Sequence, residues 1–140
     1  MPRLCVFLII SIFLMLSVAT VAIADIKFIV HPDAPVSDLS KDDIRKIFLG
    51  KKVTWDDGSS IHFVIMTGNI HEKFTRPYTR KTAVQFKNYW RRIMFTGMGS
   101  VPRKFKTQEE LMQHVSITKG SIGYVSDECD LINVKTISIQ

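Results

Sequence analysis

The stretch LSKDDIRKIFLGKKVTWDDGSSIHFVIMT, Leu39 to Thr67, decides how this chain is read. Ser40 with Asp43 three residues on has the spacing of a capping box, in which a hydroxyl and a carboxylate satisfy each other's free backbone N–H groups. Ile44, Ile47 and Phe48 then recur at helical spacing, and Gly50 can adopt the left-handed conformation that ends a helix. Trp55-Asp56-Asp57-Gly58 reads as a tight turn, and Ile61 to Met66 as a mostly apolar strand. The order predicted is therefore a short amphipathic helix over about 41–49, a turn, and a buried strand.

Outward from this segment, Ile26–Val30 alternates and leads into a loop punctuated by Pro32 and Pro35, which predicts a first strand. Asn69 and Glu72 have N-cap and third-position spacing, so a helix is expected to begin near Ile70 and to stop before Pro77. The longest helix is expected over 80–95, with Ala83, Phe86, Trp90 and Ile93 on its apolar stripe beside Tyr89 and Met94. The loop 95–105 carries two glycines and a proline. Thr107 with Glu110 predicts a helix to about Ser116, and strands are expected over Ser121–Val125 and Val134–Ile139. Alternating strands and helices joined by short connections imply one layered α/β domain with a largely parallel or mixed sheet.

The first 24 residues read as a segment outside this domain. Arg3 precedes an apolar run from Leu4 to Val21, and Ala22-Ile23-Ala24 fits a signal-peptidase site before Asp25. If left uncut, the run is long enough to anchor the chain in a bilayer. The expected division is a signal peptide, 1–24, and a domain, 25–140. Those 116 residues suffice for one core. Cys5 departs with the signal, leaving Cys129 without a partner for an internal disulfide. Glu128 and Asp130 flank Cys129 and are expected to raise its pKa, against a reactive thiolate.

Without Arg3 the charge balance is 18 basic against 13 acidic side chains, or +5. Its distribution matters more than its size. From Lys73 to Lys106 there are ten Lys or Arg and no Asp or Glu. Such a block attracts an oxyanion, an acidic protein surface or anionic lipid. Export removes nucleic acid from reach, so no nucleic-acid partner is expected.

The phrase from Leu39 to Thr67 resembles a segment of the phosphate-type periplasmic solute-binding proteins, where LS…IR-x-IFLGK…W-x-DG precedes a strand and an anion-binding loop. YWRRIMFTGMG (89–99) and KGSIGYV (119–125) resemble later phrases of the same family. The resemblance implies a periplasmic-binding-protein-like (type II) fold, here a single lobe with a mixed sheet flanked by helices. It also implies an exported protein binding phosphate or a related oxyanion for uptake or sensing, with an inner-membrane transporter or sensor as partner.

Two places are singled out for a ligand. At Thr67-Gly68-Asn69 a strand meets a helix whose free N–H groups and positive dipole end suit an anion, with His71 and Lys73 in the first turn. Relatives place a Ser-Gly-Thr loop and an arginine here; this chain has neither. The alternative is that Asn69 only caps a helix. The second is Ser121, Gly123 and Tyr124, matching the family's G-x-IGY phrase, with close strand packing as the other reading of Gly123. The loop Thr96–Ser100 is glycine-rich but follows a helix, where the dipole has the wrong sign for an anion.

Catalysis finds little support. The four histidines have no metal-ligand spacing, and no nucleophile motif is present, so neither enzyme activity nor a cofactor is expected. The competing function is a non-ligand-binding module that docks its basic face on a membrane receptor, sensor or transporter.

Overall fold

The computed structural model describes residues 25–140; the expected signal peptide lies outside the described residues. The elements are β1 (Ile26–Val30), β2 (Asp38–Leu39), α1 (Lys41–Phe48), β3 (His62–Met66), α2 (Asn69–Thr79), α3 (Ala83–Phe95), β4 (Arg103–Phe105), α4 (Gln108–Ile117), β5 (Ser121–Ser126) and β6 (Lys135–Ile139). They form one mixed six-stranded sheet of order β2-β6-β1-β5-β3-β4. β1 runs antiparallel to both β5 and β6, whereas β3 lies parallel to β4 and β5. Among the described residues, no helix is long and apolar enough to cross a membrane.

Strand alternation assigns the two faces. Gly123 lies under Leu111 of α4, so close that a Cβ there would sit 2.8 Å from the leucine side chain. Its neighbour Tyr124 points the other way and stacks on Phe74 of α2, ring centroids 4.1 Å apart. Phe28, the register partner of Tyr124, meets Phe48, Phe74 and Tyr78 edge-on. This aromatic cluster seats α1 and α2 on one face of β1 and β5, while α4 covers the other. Offset and edge-to-face pairs of this kind add about 0.5–1.5 kcal/mol each beyond area burial.

The capping box of α1 forms as expected: Asp43 N–H donates to Ser40 Oγ (3.0 Å) and Ser40 N–H to Asp43 Oδ2 (3.3 Å). Gly50 takes φ 72° directly against the Trp90 ring. Trp90 in turn donates its indole N–H to Phe48 O (3.1 Å), tying α3 to the end of α1.

Several expectations need correction. α2 does not stop before Pro77 but runs through it to Thr79. Phe74 and Tyr78 pack on Phe28, and Thr79 Oγ1 donates to Thr75 O (2.5 Å), so tertiary packing outweighs the hydrogen bond that proline removes. α3 begins at Ala83 rather than 80, because Arg80 closes α2 in the left-handed region and Thr82 forms a capping box with Gln85. Met94 is half exposed instead of lying in the apolar stripe. Two strands were not anticipated. Arg103–Phe105, inside the expected loop, pairs with β3, and Asp38–Leu39 pairs with β6.

Candidate functional site

β3 ends at Met66, and the chain turns into α2 through Thr67 and Gly68. Thr67 is held by its N–H to Phe105 O (3.0 Å). Gly68, not Asn69, is the N-cap of α2, at φ 80°, ψ −154°, and no side chain caps the helix. Only glycine adopts that conformation without strain. The N–H groups of His71 and Glu72 return to Gly68 O (3.1 and 3.4 Å), while those of Asn69 and Ile70 precede the first intrahelical bond. The other three described helices carry a side-chain cap, from Ser40, Thr82 and Thr107. α2 alone presents an open, positively polarised start.

His71, in the first turn, is fixed from beneath. Met66 N–H donates to Tyr124 Oη (3.1 Å), and the same hydroxyl lies 2.7 Å from His71 Nδ1. Tyr124 is fully buried, and its hydrogen has no other acceptor among the described residues. The hydroxyl therefore donates to Nδ1, which leaves the proton of a neutral imidazole on Nε2. Burial, helped by the Lys104 charge, lowers the His71 pKa to about 4, so the ring is neutral at pH 7. Burial also pushes the Tyr124 phenol well above its ordinary range, which keeps it a hydrogen-bond donor.

The α2 start separates two clefts. The first, of about 380 Å³, is bounded by Thr67, Gly68 and His71, by one side of α3, and by the strand entry at Val101, Pro102 and Lys104. Lys87, Arg91 and Lys104 line it, with no acidic side chain. The second, of about 430 Å³, holds Asn69, Lys73 and Lys106, but also Asp25 and Glu109. An anion in the second cleft would meet two carboxylates; in the first it would meet cations only. Electrostatics favour the first.

The residues singled out in the sequence are thus divided. Thr67, Gly68 and His71 share the first cleft, with Tyr124 supporting His71 from the core. Asn69 and Lys73 face the second, along with Thr67. Ser121 is fully buried, its hydroxyl donating to Val115 O (3.0 Å) and Thr118 O (2.6 Å) at the end of α4. Gly123 is buried under Leu111. Both serve packing in this geometry. Lys87, Arg91 and Lys104 were not singled out individually; their signal was the uninterrupted cationic block.

Among the described residues, no ion pair involves any of the ten cations from Lys73 to Lys106; all four pairs found lie between positions 42 and 56. No group of three or more potential metal ligands occurs among the described residues. Cys129 is raised by burial first, then by Glu109 and Asp130, so Glu109 takes the part expected of Glu128.

Comparison with solved structures finds the same fold. PstS from Borrelia burgdorferi superposes with a TM-score of 0.65 at 15% identity, over 84% of this chain and 47% of that one. A protein from Clostridium perfringens, described as a phosphate ABC transporter substrate-binding protein and solved with bound phosphate, gives 0.64 at 17%, over 83% and 45%. An ABC-type phosphate transport receptor from Vibrio cholerae gives 0.56 at 15%, over 83% and 46%. The chain thus spans about half the length of these structures. No match is found among curated proteins. The profile of the PBP superfamily domain matches residues 18–139, most of the chain. Together with the mixed sheet and its flanking helices, that match shows that the chain belongs to the PBP superfamily domain family.

Proposed function

We propose that this protein is an exported solute-binding protein that holds phosphate or a related oxyanion at the start of α2, for uptake or sensing. Residues 1–24 would act as the signal peptide and 25–140 as the binding domain. The observation that carries the reading is the uncapped start of α2, where Gly68 and His71 border a cleft with three cations and no carboxylate. Gly68 lets an oxyanion approach the backbone, the neutral His71 Nε2–H adds a donor, and Thr67 Oγ1 adds another on turning from its long bond to Phe105 O (3.4 Å). Lys87, Arg91 and Lys104 supply charge. Tyr124 is a positioning residue, setting the tautomer of His71. Structures of the same fold described as phosphate-binding or phosphate-transport proteins support the ligand class. An inner-membrane transporter or sensor is the partner such a role requires. No part of the role calls for catalysis or a cofactor.

Calorimetric titration with phosphate at low salt, beside sulfate, tests this. Saturable heat is expected, lost in Thr67→Ala/Lys104→Ala and retained in Asn69→Ala, whose side chain faces the other cleft. Absence of heat with either anion, from a cooperatively folded sample, would contradict it. The second reading, a module docking on a membrane receptor, sensor or transporter, draws on Phe95 and Met98, 78% and 84% exposed at and just beyond the end of α3, the helix that carries Arg91 and Arg92. It would then be preferred, and partner capture with Phe95→Ser as control would test it.

A further inference from the structure

The first cleft is not built like a site for a small inorganic ion alone. Beyond Thr67, Gly68, His71 and the cations Lys87, Arg91 and Lys104, its lining is apolar, with Ile65, Val84, Phe86, Trp90, Met94 and Pro102. Phosphate accepts hydrogen bonds on every oxygen, and an apolar wall leaves those oxygens unpaired at a cost. Val84, Met94 and Val101 are 67%, 44% and 41% exposed, so the outer part of this wall stands in water, while Ile65, Phe86 and Trp90 are buried behind it. Apolar surface gathered in one concavity marks a place something covers. The volume of about 380 Å³ lies within the range of about 300–1,000 Å³ usual for small-molecule sites. The cations Lys87 and Arg91 extend from the same side of α3 as Val84 and Met94, so charge and apolar surface are interleaved.

We infer that the cleft takes an organic oxyanion, a phosphonate, phosphate monoester or carboxylate bearing an aromatic or branched apolar group. The anionic head lies at Gly68 and the His71 Nε2–H, near Lys104; the apolar part lies against Val84, Trp90 and Met94. The inference rests on the α2 start being an anion site, and adds that the neighbouring wall selects what the anion is attached to. No bond is made or broken. A neutral His71 suits this, because it donates a hydrogen bond without demanding a second negative charge.

Calorimetry with phenylphosphonate, inorganic phosphate and benzyl alcohol at matched low ionic strength tests it. Phenylphosphonate is expected to bind at least tenfold more tightly than phosphate, and benzyl alcohol not measurably. Val84→Trp, at an exposed helix position, should fill the wall, weakening phenylphosphonate about tenfold and phosphate less than twofold. Phosphate binding as tightly as phenylphosphonate would overturn the inference while leaving the oxyanion reading intact. Equal weakening of both ligands by Val84→Trp, or no weakening of phenylphosphonate, would also overturn it. Failure of both anions to bind would remove both readings.

Discussion

The segment from Ser40 to Gly58 and the segment from Thr67 to Lys106 answer the same physical demands in opposite ways. In the first, Ser40 caps α1, and Asp42, Asp43 and Asp56 pair with Arg45, Lys46 and Lys52. In the second, α2 starts without a side-chain cap, and among the described residues none of the ten cations from Lys73 to Lys106 forms an ion pair. The first region satisfies its helix start and its charges within itself, leaving only the buried Trp55 indole N–H without a partner among the described residues. The second is left for something else to satisfy, and unsatisfied donors beside a concave surface are what a binding site requires. Both rest on the same aromatic cluster, so the difference is one of surface chemistry and not of foldedness.

Trp90 is the joint between them, and its removal should have the largest effect. It is 5% exposed, touches Gly50 and Phe63, and donates to Phe48 O. Trp90→Ala is expected to cost about 3–5 kcal/mol by urea denaturation, with one cooperative transition. Two separated transitions would show that the regions fold independently.

Acid should act next, through His71. Its folded-state pKa of about 4 lies below the ordinary 6.5, so the unfolded chain takes up a proton that the folded one refuses. The contribution is present in full above about pH 6.5 and is lost as pH falls from there to about 4. Allowing for the partial solvent contact of His71, the loss is roughly 1–2 kcal/mol. Tyr124 Oη contacts the ring, and Lys104, Lys87 and Arg91 line the same cleft. Tyr124, pushed up by burial, stays protonated across that window. Unfolding free energies at pH 7.5 and 5.0 should differ by somewhat more than half of this amount, and the difference should narrow in His71→Gln to the share of His114, whose pKa burial also lowers.

The two helix starts give a smaller contrast. Ser40→Ala removes a working cap and should cost about 1 kcal/mol without altering anion binding. Asn69→Ala removes no cap, since Gly68 holds that position, and should leave the thermal midpoint unchanged. A cost at Asn69 equal to that at Ser40 would break the distinction. Asp42→Asn, at an exposed pair on α1, should have the smallest effect, too small to resolve by thermal melting.

The scaffold was legible where local chemistry and tertiary packing agree. Ser40, Asp43 and Gly50 announce α1, and Thr107 with Glu110 announces α4, because caps act over three or four residues. The same logic failed at Asn69. Its spacing to Glu72 is right for a cap, but Gly68 takes the capping position, with a positive φ. Pro77 misled for the opposite reason: the Phe28–Tyr78 contact holds the last turn of α2 from fifty residues away. Short strands such as Arg103–Phe105 carry no periodicity and exist only because β3 offers an edge. At the site, Thr67, Gly68 and His71 were readable from the strand-to-helix junction. The join from Tyr124 to His71 spans 53 positions and was not. Nor could the cationic block reveal that Lys87, Arg91 and Lys104 converge on one cleft while Lys73 and Lys106 line another together with Asp25 and Glu109.

The central claim is that the open start of α2 receives an anion on the His71 side. Amide ¹⁵N–¹H correlation spectra of the labelled protein, recorded while phosphate is added at low salt and fixed pH, test it most directly. The account predicts saturable shifts at the Gly68 N–H, the His71 ring and the Lys104 N–H, larger than those at Lys73 and Lys106 of the other cleft, with the amides of Thr107 to Glu110 at the start of α4 unmoved. Shifts scattered over the lysines and arginines without saturation, or centred on α4, would contradict it.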